Sequence, residues 1–165
     1  MNEGSILTNA RIGILLMAAL VCTLALFGAR AAADEHSGTW KLNLAKSKYS
    51  PGPAPKNLTE TIELDENTYE VAGQGMAADG TPMHLEFDAK FDGKDYPIRG
   101  IPWADVQSAR WVDAHTPQLV QKKGGQVTMT VTCSVSTDGR TRRCTMEGRD
   151  LQGRDVHNLV VFDKQ

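Results

Sequence analysis

The chain lacks the short motifs that announce most catalytic sites. It has no Gly-x-Ser-x-Gly nucleophile elbow and no phosphate-binding loop ending in Gly-Lys-Ser/Thr. Its histidines, His36, His84, His115 and His157, stand too far apart for any His-x-x-x-His metal spacing, so no metal is expected. Cysteine is scarce, with three in the whole sequence and no Cys-x-x-Cys pair, which argues against a redox-active site. Charge of one sign is also lacking. The formal net charge is −2, and a mildly acidic, mixed surface carries no electrostatic footprint for nucleic acid. Beyond residue 33 no stretch carries a helical apolar stripe, which excludes a bundle or an alternating β–α fold. No catalytic residue and no cofactor is assigned, and a non-enzymatic role is expected.

What is present starts with a leader. Arg11 precedes an uncharged apolar run over 12–29, followed by Arg30 and Ala31-Ala32-Ala33. A positive start, an apolar stretch and an Ala-x-Ala end are the three parts of a secretory signal. Residues 1–33 are therefore expected to be a signal peptide cleaved before Asp34, leaving 34–165 as one domain with one core. The apolar run approaches the roughly 20 residues that span a bilayer, so an uncleaved anchor stays open. Acylation at Cys22 is discounted because the bulky Val21 precedes it.

Two cysteines remain after the leader, Cys133 and Cys144, and in an exported domain a disulfide is the simplest reading. The hairpin signal Thr137-Asp138-Gly139-Arg140 supports it independently. Pairing Thr137 with Arg140 sets a register that places Cys133 directly opposite Cys144, within disulfide reach. The same register puts Val131 beside Met146.

The rest reads as short alternating runs divided by turn signals at 65–67, 78–80, 92–93, 124–125, 138–139 and 151–153. Ten strands are expected, at 38–44, 57–65, 68–76, 82–91, 94–99, 105–112, 117–123, 126–136, 140–148 and 155–163. Trp40, Leu42 and Leu44 share one face; so do Leu58, Ile62 and Leu64. Met83, Leu85, Phe87, Ala89 and Phe91 form an apolar row, with His84, Glu86 and Asp88 on the opposite, solvated row. Val127, Met129, Val131, Cys133 and Val135 form another. Arg140, Arg142 and Arg143 are assigned to a solvated strand face. Consecutive hairpins without a crossover helix predict an all-β, antiparallel up-and-down barrel, since closure removes exposed edges. The segment 46–56, stiffened by Pro51, Pro53 and Pro55, breaks the rhythm and is expected to cross one end of the barrel.

Gly38-Thr39-Trp40-Lys41-Leu42-Asn43, with Lys46-Ser47-Lys48 and Pro51-Gly52-Pro53-Ala54-Pro55, resembles the opening of a family of small exported bacterial proteins of unknown function. The run Phe91-Asp92-Gly93-Lys94-Asp95-Tyr96-Pro97 is similar to that family's second hallmark. The Gly38-x-Trp40 opening also resembles the first strand of lipocalins and fatty-acid-binding proteins. That likeness implies a calycin-type barrel in which Trp40 closes the floor and a basic residue from a late strand packs on it. The chain departs from both groups in having no room for a helical lid and no evident C-terminal helix. The likeness and the leader together imply a bacterial periplasmic or secreted location.

A barrel of this size has room for one small ligand. The loop Pro97-Ile98-Arg99-Gly100-Ile101-Pro102-Trp103 places a costly-to-expose Trp at a candidate cavity mouth. Trp40, Leu85, Phe87, Tyr96, Arg99, Trp103, Trp111, Met129 and Met146 are the candidate ligand-binding residues, with Arg99 expected to hold an acidic head group. The alternative for Trp103 is that it simply plugs the barrel end. The expected partner is a small hydrophobic ligand, with no nucleic acid and no stable membrane association once the leader is removed. A protein partner bound by a filled barrel is the second reading. An enzyme would require polar side chains converging inside.

Overall fold

Strands form wherever the apolar–polar alternation runs, and the breaks fall at the Asp and Gly turn signals. The computed structural model describes residues 35–65 and 67–165. The leader assigned to 1–33, and the cleavage point before Asp34, lie outside the described residues. The strands are β1 (Gly38–Leu42), β2 (Asn57–Leu64), β3 (Thr68–Met76), β4 (Pro82–Lys90), β5 (Tyr96–Arg99), β6 (Val106–Asp113), β7 (Thr116–Lys123), β8 (Gln126–Val135), β9 (Thr141–Arg149) and β10 (Asp155–Lys164). Each pairs antiparallel with its neighbours in sequence, and β1 also pairs with β10, so the sheet closes into an up-and-down barrel. Among the described residues no helix is long and apolar enough to cross a membrane.

The turns are built by aspartates. The carboxylates of Asp65, Asp79, Asp92 and Asp113 each accept the backbone N–H two residues on, at 2.7, 2.9, 3.0 and 2.8 Å. Those bonds hold the four carboxyl pKa values below the ordinary range. The hairpin at Asp138 sets the β8–β9 register, in which Cys133 faces Cys144 and Val131 faces Met146. Cys133 and Cys144 are joined by a disulfide, their Cα atoms 4.1 Å apart.

Three details depart from the expected faces. β1 ends at Leu42, so Leu44 lies in the following turn and is exposed. A bulge between Gln121 and Lys122 shifts the β7–β8 register, and Val127 falls outside the apolar row, 60% exposed. Arg142 is not on a solvated face. It shares the parity of Cys144 two residues on, points inward and is 3% exposed, whereas Arg140 and Arg143 are exposed.

One end of the barrel is sealed. Trp40 is fully buried and its indole N–H donates to the His36 carbonyl at 2.8 Å. The Lys164 ammonium, from the last strand, lies 5.1 Å from the centre of the Trp40 ring. His36 fills the space between, with its Nε2 3.0 Å from the His115 carbonyl and its ring edge-on to Trp111. The carbonyl can only accept, so Nε2 carries a proton. Trp111 in turn stacks on Phe91, ring centres 4.7 Å apart.

Two predictions concern this frame. The disulfide closes a short loop, with a sequence separation of 11. Replacing Cys133 and Cys144 together by serine is expected to cost about 2–3 kcal/mol, read as a lower urea midpoint at unchanged slope. The second concerns His36, whose pKa is lowered from 6.5 to about 4, chiefly because burial penalises the imidazolium. The unfolded chain binds the proton first, so stability is complete above about pH 6.5 and is lost as pH falls toward 4. Between pH 7 and pH 5 the loss from this one group should be about 2 kcal/mol. His36→Gln keeps a donor for the His115 carbonyl but does not titrate. Urea midpoints at both pH values should show a shallower fall in the variant, and equal falls would contradict the assignment.

Candidate functional site

The end opposite the floor is open. Inside it lies a cavity of about 580 Å³, within the range of small-molecule sites. Its walls are mostly apolar, because the inward rows of the strands carry Val71, Leu85, Phe87, Leu119, Met129 and Met146.

Four loops ring the mouth, the turns at 77–79 and 150–154 and two longer ones. The Pro-rich connector between β1 and β2 crosses it, with Tyr49, Pro51, Pro53 and Pro55 facing the cavity. Backbone bonds fix the connector on β10. Lys48 and Leu159 exchange N–H···O bonds at 2.7 and 2.9 Å, and the His157 N–H donates to the Ser50 carbonyl at 2.9 Å. On the other side, Ile101, Pro102 and Trp103 reach the mouth through Gly100. Gly100 has φ +84°, and a Cβ there would collide with the His84 carbonyl, so only glycine fits.

Two polar groups interrupt the apolar walls. The first is ionic. The Arg142 guanidinium donates to Glu60 at 2.8 Å through Nη1, and to the Tyr69 hydroxyl and the Cys133 sulfur at 3.3 Å each through Nη2. It also lies 5.5 Å from the centre of the Phe162 ring. Burial opposes the charge on Arg142, but Tyr69 and Glu60 outweigh it and hold its pKa above the ordinary value. Burial, with Glu60 close by, pushes the Tyr49 phenol up to about 12. The second group is neutral. Gln107 on β6 and Gln121 on β7 are register partners, both buried, with Gln121 Nε2 donating to Gln107 Oε1 at 2.8 Å. The Trp103 indole N–H donates to Gln121 Oε1, also at 2.8 Å. Trp103 is thereby drawn inward from its loop to a half-buried position at the cavity.

Of the residues proposed from sequence, Leu85, Phe87, Trp103, Met129 and Met146 line the cavity, as does Val131. Four do not. Trp40 lies in the sealed floor. Trp111 is near the floor as well, because β6 runs from the mouth loop down to the floor, where Trp111 meets Phe91 and His36. Tyr96 bonds outward to Asp92 at 3.1 Å. Arg99 alternates with the inward Ile98, so it faces solvent and pairs with Glu86 at 3.6 Å. It therefore holds no head group in the cavity. His84, Glu86 and His157 are exposed on the outer rows.

The polar residues of the interior, Glu60, Arg142, Gln107 and Gln121, are those that sequence reasoning passed over. Parity signals two of them. Glu60 falls in the row of Leu58 and Ile62, and Arg142 in the row of Cys144 and Met146. Among the described residues no group of three or more His, Cys, Asp or Glu is placed to hold a metal ion. Comparison with known proteins finds no family model and no curated sequence that matches this chain. Fold and site thus define it as a closed ten-stranded up-and-down β-barrel, compatible with a lipocalin-like barrel, with an internal cavity open at one end.

The buried ion pair makes a strong prediction. Arg142→Met leaves the Glu60 carboxylate uncompensated inside the barrel and is expected to cost about 3–5 kcal/mol. Adding Glu60→Leu removes the stranded charge and should recover most of that loss. A four-protein urea cycle measures the coupling. Additive losses would show that the two groups do not stabilise each other.

Proposed function

We propose that this domain binds one small apolar or amphipathic molecule inside the barrel, as a non-enzymatic binding protein of the bacterial cell envelope. The observation that carries this reading is the apolar cavity of about 580 Å³ beneath the connector and the Trp103 loop. Large apolar concavities with a few fixed polar groups are the ordinary form of a ligand site. A lipocalin-like assignment is supported by the Gly38-x-Trp40 opening, with Trp40 in the floor and Lys164 packed on its ring. The internal volume weighs against a filled barrel serving only as a protein-docking module. The polar interior groups bond mainly to one another, which favours holding a ligand over converting it. Export to the periplasm or medium is supported by the leader's sequence and by the Cys133–Cys144 disulfide, which suits an oxidising compartment.

The test is direct titration. The protein, delipidated and refolded, should show saturable Trp fluorescence quenching with members of a broad lipid panel, since Trp103 borders the cavity. Leu85→Trp places a larger side chain in that space and should weaken binding at least about tenfold while the far-UV spectrum is kept. Absence of saturable binding across the panel would overturn the reading.

A further inference from the structure

We propose that the cavity selects an uncharged molecule whose oxygen is held by the Gln107 side-chain amide, and that it discriminates against carboxylates. This inference rests on the binding reading above and names the class of ligand.

The argument turns on the sense of one hydrogen-bond chain. An indole nitrogen donates and never accepts. Trp103 Nε1 therefore requires the oxygen of Gln121, not its nitrogen, at 2.8 Å. That choice turns the Gln121 NH2 toward Gln107, which must answer with its own oxygen, again at 2.8 Å. The Gln107 NH2 is then left at the end of the chain, on a residue 2% exposed that lines the cavity. Neither amide can flip without setting a donor against a donor. Gln107 consequently presents N–H groups to whatever occupies the cavity, and a buried donor without an acceptor is costly. A carbonyl, ester or hydroxyl oxygen answers it.

The charged groups decide against an acid. Glu60 also lines the cavity, from β2, on the wall that faces β6 and β7 in the ring. One of its oxygens is held by Arg142, and the carboxylate stays beside any entering group. The Arg142 charge is already met by Glu60. Three of its five N–H groups are donated, and Nε, which has no partner, is closed off from the cavity surface. At the mouth, Arg154 is paired with Asp150 at 2.7 Å. A carboxylate drawn inside thus meets a second carboxylate with no uncommitted Lys or Arg among the described lining residues, and burial of an unpaired charge is strongly disfavoured. An uncharged oxygen meets only the Gln107 donors.

Four decyl compounds separate the possibilities: decanol, methyl decanoate, decanoate and decane. Calorimetric titration of the full disulfide-bonded domain at pH 7.5 should give decanol and methyl decanoate similar affinities, with decanoate at least about tenfold weaker. Gln107→Leu should weaken methyl decanoate about five- to tenfold and leave decane unchanged. Trp103→Phe frees both amides to turn over. It should lower the affinity for the ester, which only accepts, more than for the alcohol, which also donates, and it serves if Gln107→Leu does not fold. Decanoate binding as tightly as the ester would overturn the proposal, as would ester affinity indifferent to Gln107→Leu. Failure of all four compounds, decane included, would instead overturn the binding reading itself.

Discussion

The structure depends on the closure of the sheet through β1. That strand is only five residues long, yet it pairs with β2 along one edge and β10 along the other. Without it the barrel has two unpaired edges, and the interior opens to water along its length. Its hold comes from the floor as much as from its ladder. Trp40 is anchored to the His36 carbonyl beneath and covered by Lys164 from the strand to which β1 must pair. The residue that plugs the barrel is thus also the residue that draws its first and last strands together.

The interior has two chemistries at once. Apolar side chains supply most of the surface, while Arg142, Glu60 and Tyr69 form a polar knot next to the disulfide. Burying an ion pair rarely stabilises a fold more than a well-packed apolar cluster would. Its value here is positional, because it ties β9 to β2 and β3 across the barrel. A side chain joined to two others on distant strands and to the neighbouring disulfide cannot collapse into the lumen, which helps the cavity remain a cavity.

Much of this was legible in the residues. All ten strands were visible because turn signals bound each run and most runs alternate, and the disulfide partners followed from one hairpin and the parity it imposes. The rest was hidden for physical reasons. Leu44 and Val127 carry apolar side chains, but chain direction changes at a turn and at a bulge, and alternation cannot see either. Arg99 adjoins the mouth loop but points away from the cavity, and Trp111 neighbours that loop only in sequence. Arg99 sits one position out of phase with Ile98, and Trp111 runs down β6 to the other end. Glu60 and Arg142 are separated by 82 positions, so the partner that makes burial tolerable for each is invisible from its own neighbourhood. The glutamines are a similar case, since an inward amide looks misplaced until its cross-strand partner is known.

The connector over the mouth is fastened at its ends. Lys48 and Ser50 bond to β10, and Lys56 bonds to the Met76 carbonyl. Those attachments use main-chain groups, and the prolines between them have no N–H to offer. What the cavity meets at 51–55 is therefore set by side chains that the attachment does not use. The rim of this barrel is free to change its selectivity by substitution while its anchorage stays the same.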